Sequence, residues 1–205
     1  GCFAISGEKL GFYSVDVSGH GVHAALLSVA IGHLITPEYF RNRALRSDGS
    51  HDPAALVAEL NKRFYNPDSD EYFTMFCGDV DVGSDHFEFC QAGCPSPFYV
   101  RPNGDVTFIG DGGFPVGMLP DAVYETKSLP YLPGSLIIMC SDGASEAENK
   151  EGEAFGEHRL KQVVEISTRH GIARIPQEIV TALSSWRAGG PLEDDLTVVA
   201  LERTK

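Results

Sequence analysis

Between residues 72 and 140 the chain carries short apolar runs at 72–82, 86–91, 98–101, 106–109, 123–129 and 135–140. Turn-forming pairs punctuate them: Gly83-Ser84, Asn103-Gly104 inside Pro102–Asp105, and Pro133-Gly134. Parallel strands need long crossovers, whereas antiparallel neighbours are joined by tight turns of this composition. This stretch is therefore expected to be antiparallel sheet, and that expectation constrains everything around it.

The flanks read differently. Leu10 to Val15 forms a strand-like run that ends at Asp16, and Gly19-His20-Gly21 interrupts the chain. From Val22 to Ile35, Val22, Ala25, Leu26, Val29, Ala30 and Leu34 recur at helical spacing. Pro37 ends that helix or opens another. Residues 42–52 are polar, with Ser47, Asp48, Gly49 and Ser50, and are expected to form a surface loop. Asp52-Pro53 opens a second helix with Asp as N-cap, and Leu56, Leu60 and Phe64 share one face. Two more helices are expected around 156–169 and 175–186, then a strand from Leu196 to Leu201. The order favours an α+β fold with antiparallel sheets and helices packed outside.

Charge and cysteine content narrow the function classes. The 205 residues suit one domain spanning 1–205, and 16 Lys+Arg against 29 Asp+Glu give a net charge of −13. Such acidity opposes nucleic-acid binding and docking on anionic membranes, and at face value any phosphate-bearing substrate. No apolar run is long enough to cross a membrane, and no basic segment followed by an apolar one marks a signal peptide. The chain starts without Met and reads as a piece of a longer protein. Cys2, Cys77, Cys90, Cys94 and Cys140 form no C-x-x-C pair, which suits packed thiols in a reducing, cytoplasmic compartment.

Three aspartate positions stand beside strands. Asp16 ends the first run, Asp142 follows the very apolar Leu136–Cys140, and Asp194-Asp195 precede the last strand. The end of one strand and the start of an antiparallel neighbour share a sheet edge, so these carboxylates could converge. Clustered carboxylates repel unless protonated or bridged by a cation, and short oxygen-only side chains suit Mg²⁺ or Mn²⁺. Two other patterns were weighed. Gly19–Ala24 fits half of a dinucleotide-binding fingerprint but lacks the following parallel strand. Asp79-Val80-Asp81 resembles an aspartyl-nucleophile motif but lies in hairpin-rich sequence, where a turn is expected.

Asp16-Val17-Ser18-Gly19-His20-Gly21-Val22-His23-Ala24-Ala25-Leu26 resembles the D-V-S-G-H-G-x-x-A-A-L motif of the SpoIIE/RsbU-type bacterial serine phosphatases, within the type 2C-like (PPM) metal-dependent family. Ser141–Ala147 resembles their [ST]-D-G-x-x-E-A motif, and Asp194–Val199 their closing D-D-[IL]-T strand. Phe73–Asp81, Ala92-Gly93, Gly112–Gly117 and Phe155-Gly156-Glu157 also fall in the family's order. The likeness implies an α-β-β-α sandwich of two antiparallel sheets flanked by helices. It implies two Mn²⁺ or Mg²⁺ ions, with Asp16 bridging them and the Val17 carbonyl, Asp142, Asp194 and Asp195 around them. Asp16, Asp142 and Asp194 would then be catalytic, and Gly19 and Gly21 would shape the turn into the first helix.

The implied reaction is hydrolysis of phosphoserine or phosphothreonine by metal-activated water, with no cysteine nucleophile. The implied substrate is a phosphorylated regulatory protein, an anti-sigma-factor antagonist in partner switching, and the implied companion is an N-terminal regulatory or receiver domain. Family members often dimerise, although no helix here shows a heptad run. The general acid is unassigned: His20 does not match the position known from eukaryotic relatives, and His23 and His33 read as helix residues. Two departures matter. The family's acidic ligand on the strand before Asp16 has no match from Gly1 onward, and Glu8 does not replace it. Cys94-Pro95 stand where the family has a polar His-Asn pair. The alternative reading is therefore a pseudophosphatase adaptor that binds a partner without efficient turnover.

Overall fold

A computed structural model describes residues 1–44, 46, 50–190 and 194–204. Of the expected loop at 42–52, Leu45 and Ser47–Gly49 lie outside the described residues. The strands are β1 (Cys2–Ser6), β2 (Lys9–Val17), β3 (Phe73–Asp81), β4 (His86–Ala92), β5 (Phe98–Val100), β6 (Val106–Phe108), β7 (Lys127–Pro130), β8 (Leu136–Cys140) and β9 (Val198–Glu202). The helices are α1 (Val22–Leu34), α2 (Pro37–Arg43), α3 (Pro53–Phe64), α4 (Gly156–Ser167) and α5 (Ile175–Trp186). All strand pairs are antiparallel, in one sheet of order β1-β2-β3-β4-β7 and another of order β6-β5-β8-β9. The fold is thus α+β with two antiparallel sheets and accompanying helices, as expected.

The chain divides into two compact units, one of Gly1–Cys94 with Gly110–Tyr131 and one of Pro95–Ile109 with Leu132–Lys205. In the first, β2 and β3 pair without a break from Lys9↔Asp81 to Val17↔Phe73. Period-two alternation then sorts their side chains. One face of β3 and β4 sends Met75, Cys77, Cys90 and Ala92 into a core with Ile31, Phe40, Leu56, Val57 and Leu60. The other face carries buried Phe12, Phe76, Phe87 and Phe89, with Phe87 and Phe89 stacked at 5.0 Å. In the second unit, Phe98, Val100, Leu136 and Ile138 pack on Leu160, Val164, Ile175, Ile179 and Leu183.

Several elements depart from the sequence expectations. Strand β1 was not foreseen; it is an edge strand paired to β2 through the Gly7-Glu8 turn. Asp79 and Asp81 lie in β3, not in a turn, because the ladder to Lys9-Leu10 on one side and His86-Phe87 on the other runs to Asp81. Asp81 does cap the turn that follows, accepting the Gly83 and Ser84 N–H groups. Asp79 is buried with its carboxylate 2.8 Å from His51 Nδ1. Of the run at 123–129 only 127–129 joins the sheet, in a strand that extends one residue further to Pro130, which is tolerated because β7 is an edge.

Helix α1 has the expected bounds, but not the packing its spacing suggested. Ile31, with Leu27 and Leu34, faces the core, while Val22, Leu26 and Val29 are 76%, 63% and 58% exposed. Pro37 opens α2, whose Tyr39 N–H donates to the Thr36 hydroxyl. At α3, Asp52 occupies the cap position and its carbonyl accepts the Ala55 N–H at 3.0 Å, but its side chain bonds no N–H of the helix. The Thr126 hydroxyl accepts the Ala54 N–H at 3.0 Å and donates to Asp52. The cap is therefore relayed through a residue from another part of the chain. A Thr126→Ala variant removes that relay, and its denaturant midpoint is expected to fall by the equivalent of about 1 kcal/mol, the usual worth of a helix cap. No loss in that variant would show that the first turn of α3 is satisfied by water instead.

Candidate functional site

Asp16 lies near the C-terminal end of β2, across from Thr74 on β3, and is exposed. Alternation places it on the same face as Phe12 and Phe76. Val17 follows, opposite Phe73, and the chain leaves the sheet through a turn held twice: Ser18 N–H donates to Tyr72 O, and Tyr72 N–H donates to the Ser18 hydroxyl, both at 3.0 Å. Gly19 and Gly21 then take φ values of 81° and 92°, which L side chains rarely adopt, so the expectation for both glycines matches the geometry. The Gly21 carbonyl accepts the Ala25 N–H and starts α1. His20 and His33 are exposed, and His23 Nδ1 lies 2.9 Å from Glu71 Oε1. Glu8 sits at the far end of β2 from Asp16, where its carbonyl accepts the Val82 N–H.

In the second unit, Asp142 and Asp194-Asp195 meet at one end of the β8–β9 pair. The register ends at Cys140↔Val198, and Ser141 then ties the two departing segments together. Its N–H donates to Thr197 O at 3.0 Å, and its hydroxyl donates to Asp195 O at 2.9 Å and accepts the Thr197 N–H at 3.0 Å. Asp142 opens a short 3-10 turn in which its Oδ1 accepts the Gly143 N–H at 2.9 Å. Asp194 Oδ1 accepts the Asp195 N–H at 2.7 Å. The approach is close enough to require glycine at 143, since a Cβ there would stand 2.8 Å from Asp195 O and 3.5 Å from Asp194 Cβ. The Phe155-Gly156 motif supports this turn from behind: Phe155 N–H donates to Ala147 O and Gly156 N–H to Ser145 O.

The structure thus brings Asp142, Asp194 and Asp195 together within one unit and holds Asp16 and Val17 at a sheet end in the other. Among the described residues, no three His, Cys, Asp or Glu side chains form a group able to hold a metal ion. The donors present are hard oxygens, aspartate carboxylates and the Val17 carbonyl, the type that Mg²⁺ and Mn²⁺ prefer. Sequence reasoning missed Ser141 as the hydroxyl that joins the two aspartate-bearing segments. The signal was a serine directly before Asp142-Gly143, but its partner is more than fifty residues away.

The cysteines are packing groups. Burial, the largest cause, raises the Cys77 thiol well above its usual value, and neighbouring Cys90, Cys94 and Asp79 raise it further. Burial also pushes Cys90 and Cys94 up to about 12. Cys94, which replaces the family's polar residue, donates its thiol to Met75 O at 3.4 Å, and its carbonyl accepts from Gln91 Nε2 at 2.7 Å. A raised thiol pKa leaves on the order of 0.1% thiolate even at pH 9, too little for a nucleophile. Among the described residues no helix is long and apolar enough to cross a membrane.

A family model described as Stage II sporulation protein E (SpoIIE) matches residues 6–204. Phosphoserine phosphatase RsbU of Bacillus subtilis is 24% identical over 199 residues, covering 96% of this chain and 56% of RsbU. Among solved structures, the SiaA-PP2C domain of Pseudomonas aeruginosa superposes with a TM-score of 0.78 at 22% identity, covering 96% of this chain and 77% of that one. RsbX in complex with magnesium gives 0.66 at 18% identity, covering 97% and 83%. The chain spans between 21% and 56% of the lengths of the curated relatives it matches.

The thiol environment predicts a labelling pattern. With a disulfide reagent at pH 9, exposed Cys2 is expected to react first, and Cys77, Cys90 and Cys94 only as the protein unfolds, as read by peptide mass spectrometry. Rapid native labelling of Cys94 would contradict the packing assigned to it.

Proposed function

Because the chain belongs to the SpoIIE family of PP2C-like phosphatase domains, we propose that it is a Mn²⁺- or Mg²⁺-dependent protein phosphatase acting on phosphoserine or phosphothreonine. The observation that supports this reading is the Ser141-centred junction, which holds the segment of Asp142, half-buried, beside that of Asp194 and Asp195, both exposed. In this reading Asp16 with the Val17 carbonyl, and Asp142 with Asp194, hold two divalent cations, and Asp195 supports them. Bound cations supply an activated water and neutralise phosphate oxygens.

The chain's own residues have simpler tasks. Asp142 is oriented by the Gly143 N–H, and Asp194 by the Asp195 N–H, each through Oδ1, so the backbone sets the direction of both carboxylates. Such pre-oriented donors lose little freedom on binding. The buried thiols leave hydrolysis without a covalent cysteine intermediate as the consistent route. The acidity of the chain then ceases to oppose a phosphate substrate, because cations held by the aspartates invert the local sign.

By resemblance, the substrate is a phosphorylated regulatory protein of the anti-sigma-factor-antagonist type. A regulatory domain attached N-terminally, a cytoplasmic setting and dimerisation belong to the same proposal. The adaptor alternative is favoured by one observation, the absence of a three-donor group among the described residues.

One experiment separates the two. Phosphate release from a phosphoserine protein is measured with Mn²⁺, with Mg²⁺ and with chelator, for the wild type and for Asp16→Asn, Asp142→Asn and Asp194→Asn. Cation-dependent release is expected, with each substitution lowering kcat/KM by at least about 100-fold, the scale of losing several kcal/mol of charge stabilisation. Binding of the phosphoprotein without release would support the adaptor. Release that ignores both chelator and substitutions would remove the site assignment.

A further inference from the structure

Asn61 is the polar exception in the buried face of α3. It is 2% exposed, between fully buried Val57 and Leu60 and half-buried Phe64. Its amide bonds nothing on its own helix among the contacts the structure gives it. Oδ1 accepts the Gly117 N–H at 2.7 Å and the Tyr124 hydroxyl at 3.2 Å. Nδ2 donates to Leu119 O at 2.8 Å, with Pro120 O at 3.5 Å. Every partner lies between residues 117 and 124, so one buried side chain adds four contacts to a loop whose own backbone bonds, Met118 N–H to Pro115 O and Ala122 N–H to Leu119 O, are both 3.5 Å long. Buried polar groups left unsatisfied are costly, which makes the amide a clamp and not a filler.

The clamped loop has a second anchor. Phe73 and Val116 exchange both backbone hydrogen bonds, N–H to O at 3.0 Å and 2.8 Å. On the other edge of β3, Phe73 is the register partner of Val17, the residue after Asp16. The loop is therefore tied to the same sheet end that carries Asp16 and Val17. What it presents there is apolar: Phe114 is 51%, Met118 40% and Leu119 41% exposed. Large apolar side chains on a pinned backbone form a contact surface whose ordering cost has been met before a partner arrives.

We infer that Asn61 is a positioning residue for substrate recognition: it fixes the loop 114–119 so that Phe114 and Met118 contact the polypeptide around the phosphorylated side chain. This rests on the phosphatase reading above. A small phosphate ester has no polypeptide to offer, so the two substrate types separate the role of Asn61 from general damage.

The test compares a phosphoserine protein with p-nitrophenyl phosphate, for the wild type, Asn61→Ala and the surface variant Phe114→Ser/Met118→Ser. In both variants KM for the phosphoprotein is expected to rise so that the ratio of kcat/KM values between the two substrates falls about 10-fold, the loss of one good contact cluster. The surface variant is expected to do so with an unchanged melting temperature. Equal losses on both substrates, or an unchanged ratio in both variants, overturn the inference. If the wild type binds the phosphoprotein but releases no phosphate, the phosphatase reading fails. Calorimetry then decides Asn61 alone: about 10-fold weaker binding in Asn61→Ala upholds it, and equal affinity overturns it.

Discussion

Strands β3 and β8 are buried almost throughout, and a buried backbone must hydrogen-bond to something. Antiparallel neighbours on both sides meet that demand, β2 and β4 for one and β5 and β9 for the other. The places proposed for the chemistry follow from where these ladders stop. The β2–β3 ladder ends at Val17↔Phe73, which leaves Asp16 and Val17 at a sheet edge. The β8–β9 ladder ends at Cys140↔Val198, and the next residues in both directions are Ser141-Asp142 and the segment that carries Asp194-Asp195. Rigid strands thus aim short side chains at defined places, which a loop could not do without further support.

Where loops do take part, polar side chains from distant segments hold them. Ser141 joins two segments through three hydrogen bonds, Thr126 completes the cap of α3, and Asn61 clamps 117–124. In each case a backbone group that regular structure leaves unpaired finds a side chain from elsewhere in the chain. Burial also quiets the inner thiols: Cys77 and Cys90 fill the core, and the burial that fits them there raises both above their usual value.

The helices were legible because apolar residues recur at helical spacing, and the strands because short apolar runs stand between turn residues; a local window records both. The helices at 22–34, 53–64 and 175–186 and the strand at 136–140 fall where those signals put them. Strand β1 was not legible, since Cys2-Phe3-Ala4-Ile5 follow one another without a polar residue between them and five residues are too few to show a period. Helix α1 shows the opposite failure. It is apolar nearly all round, so its period marks a helix without saying which face packs, and the exposed positions Val22, Leu26 and Val29 were the more conspicuous ones. Asp79 read as a turn residue because the sequence around it is rich in hairpin signals; in the structure it stands in β3 with His51 Nδ1 2.8 Å from its carboxylate.

By itself the sequence determined the order of the motifs, the antiparallel character of the sheets and the aspartates that stand at strand ends. These are local properties, set by turn length, side-chain period and residue type. The tertiary structure decided which strands are neighbours, which face of α1 packs, and that Asn61, Thr126 and Ser141 matter at all. The reason is physical: a polar side chain acquires its role from the backbone group it satisfies, and those groups lie from 54 to 72 residues away, beyond any local pattern.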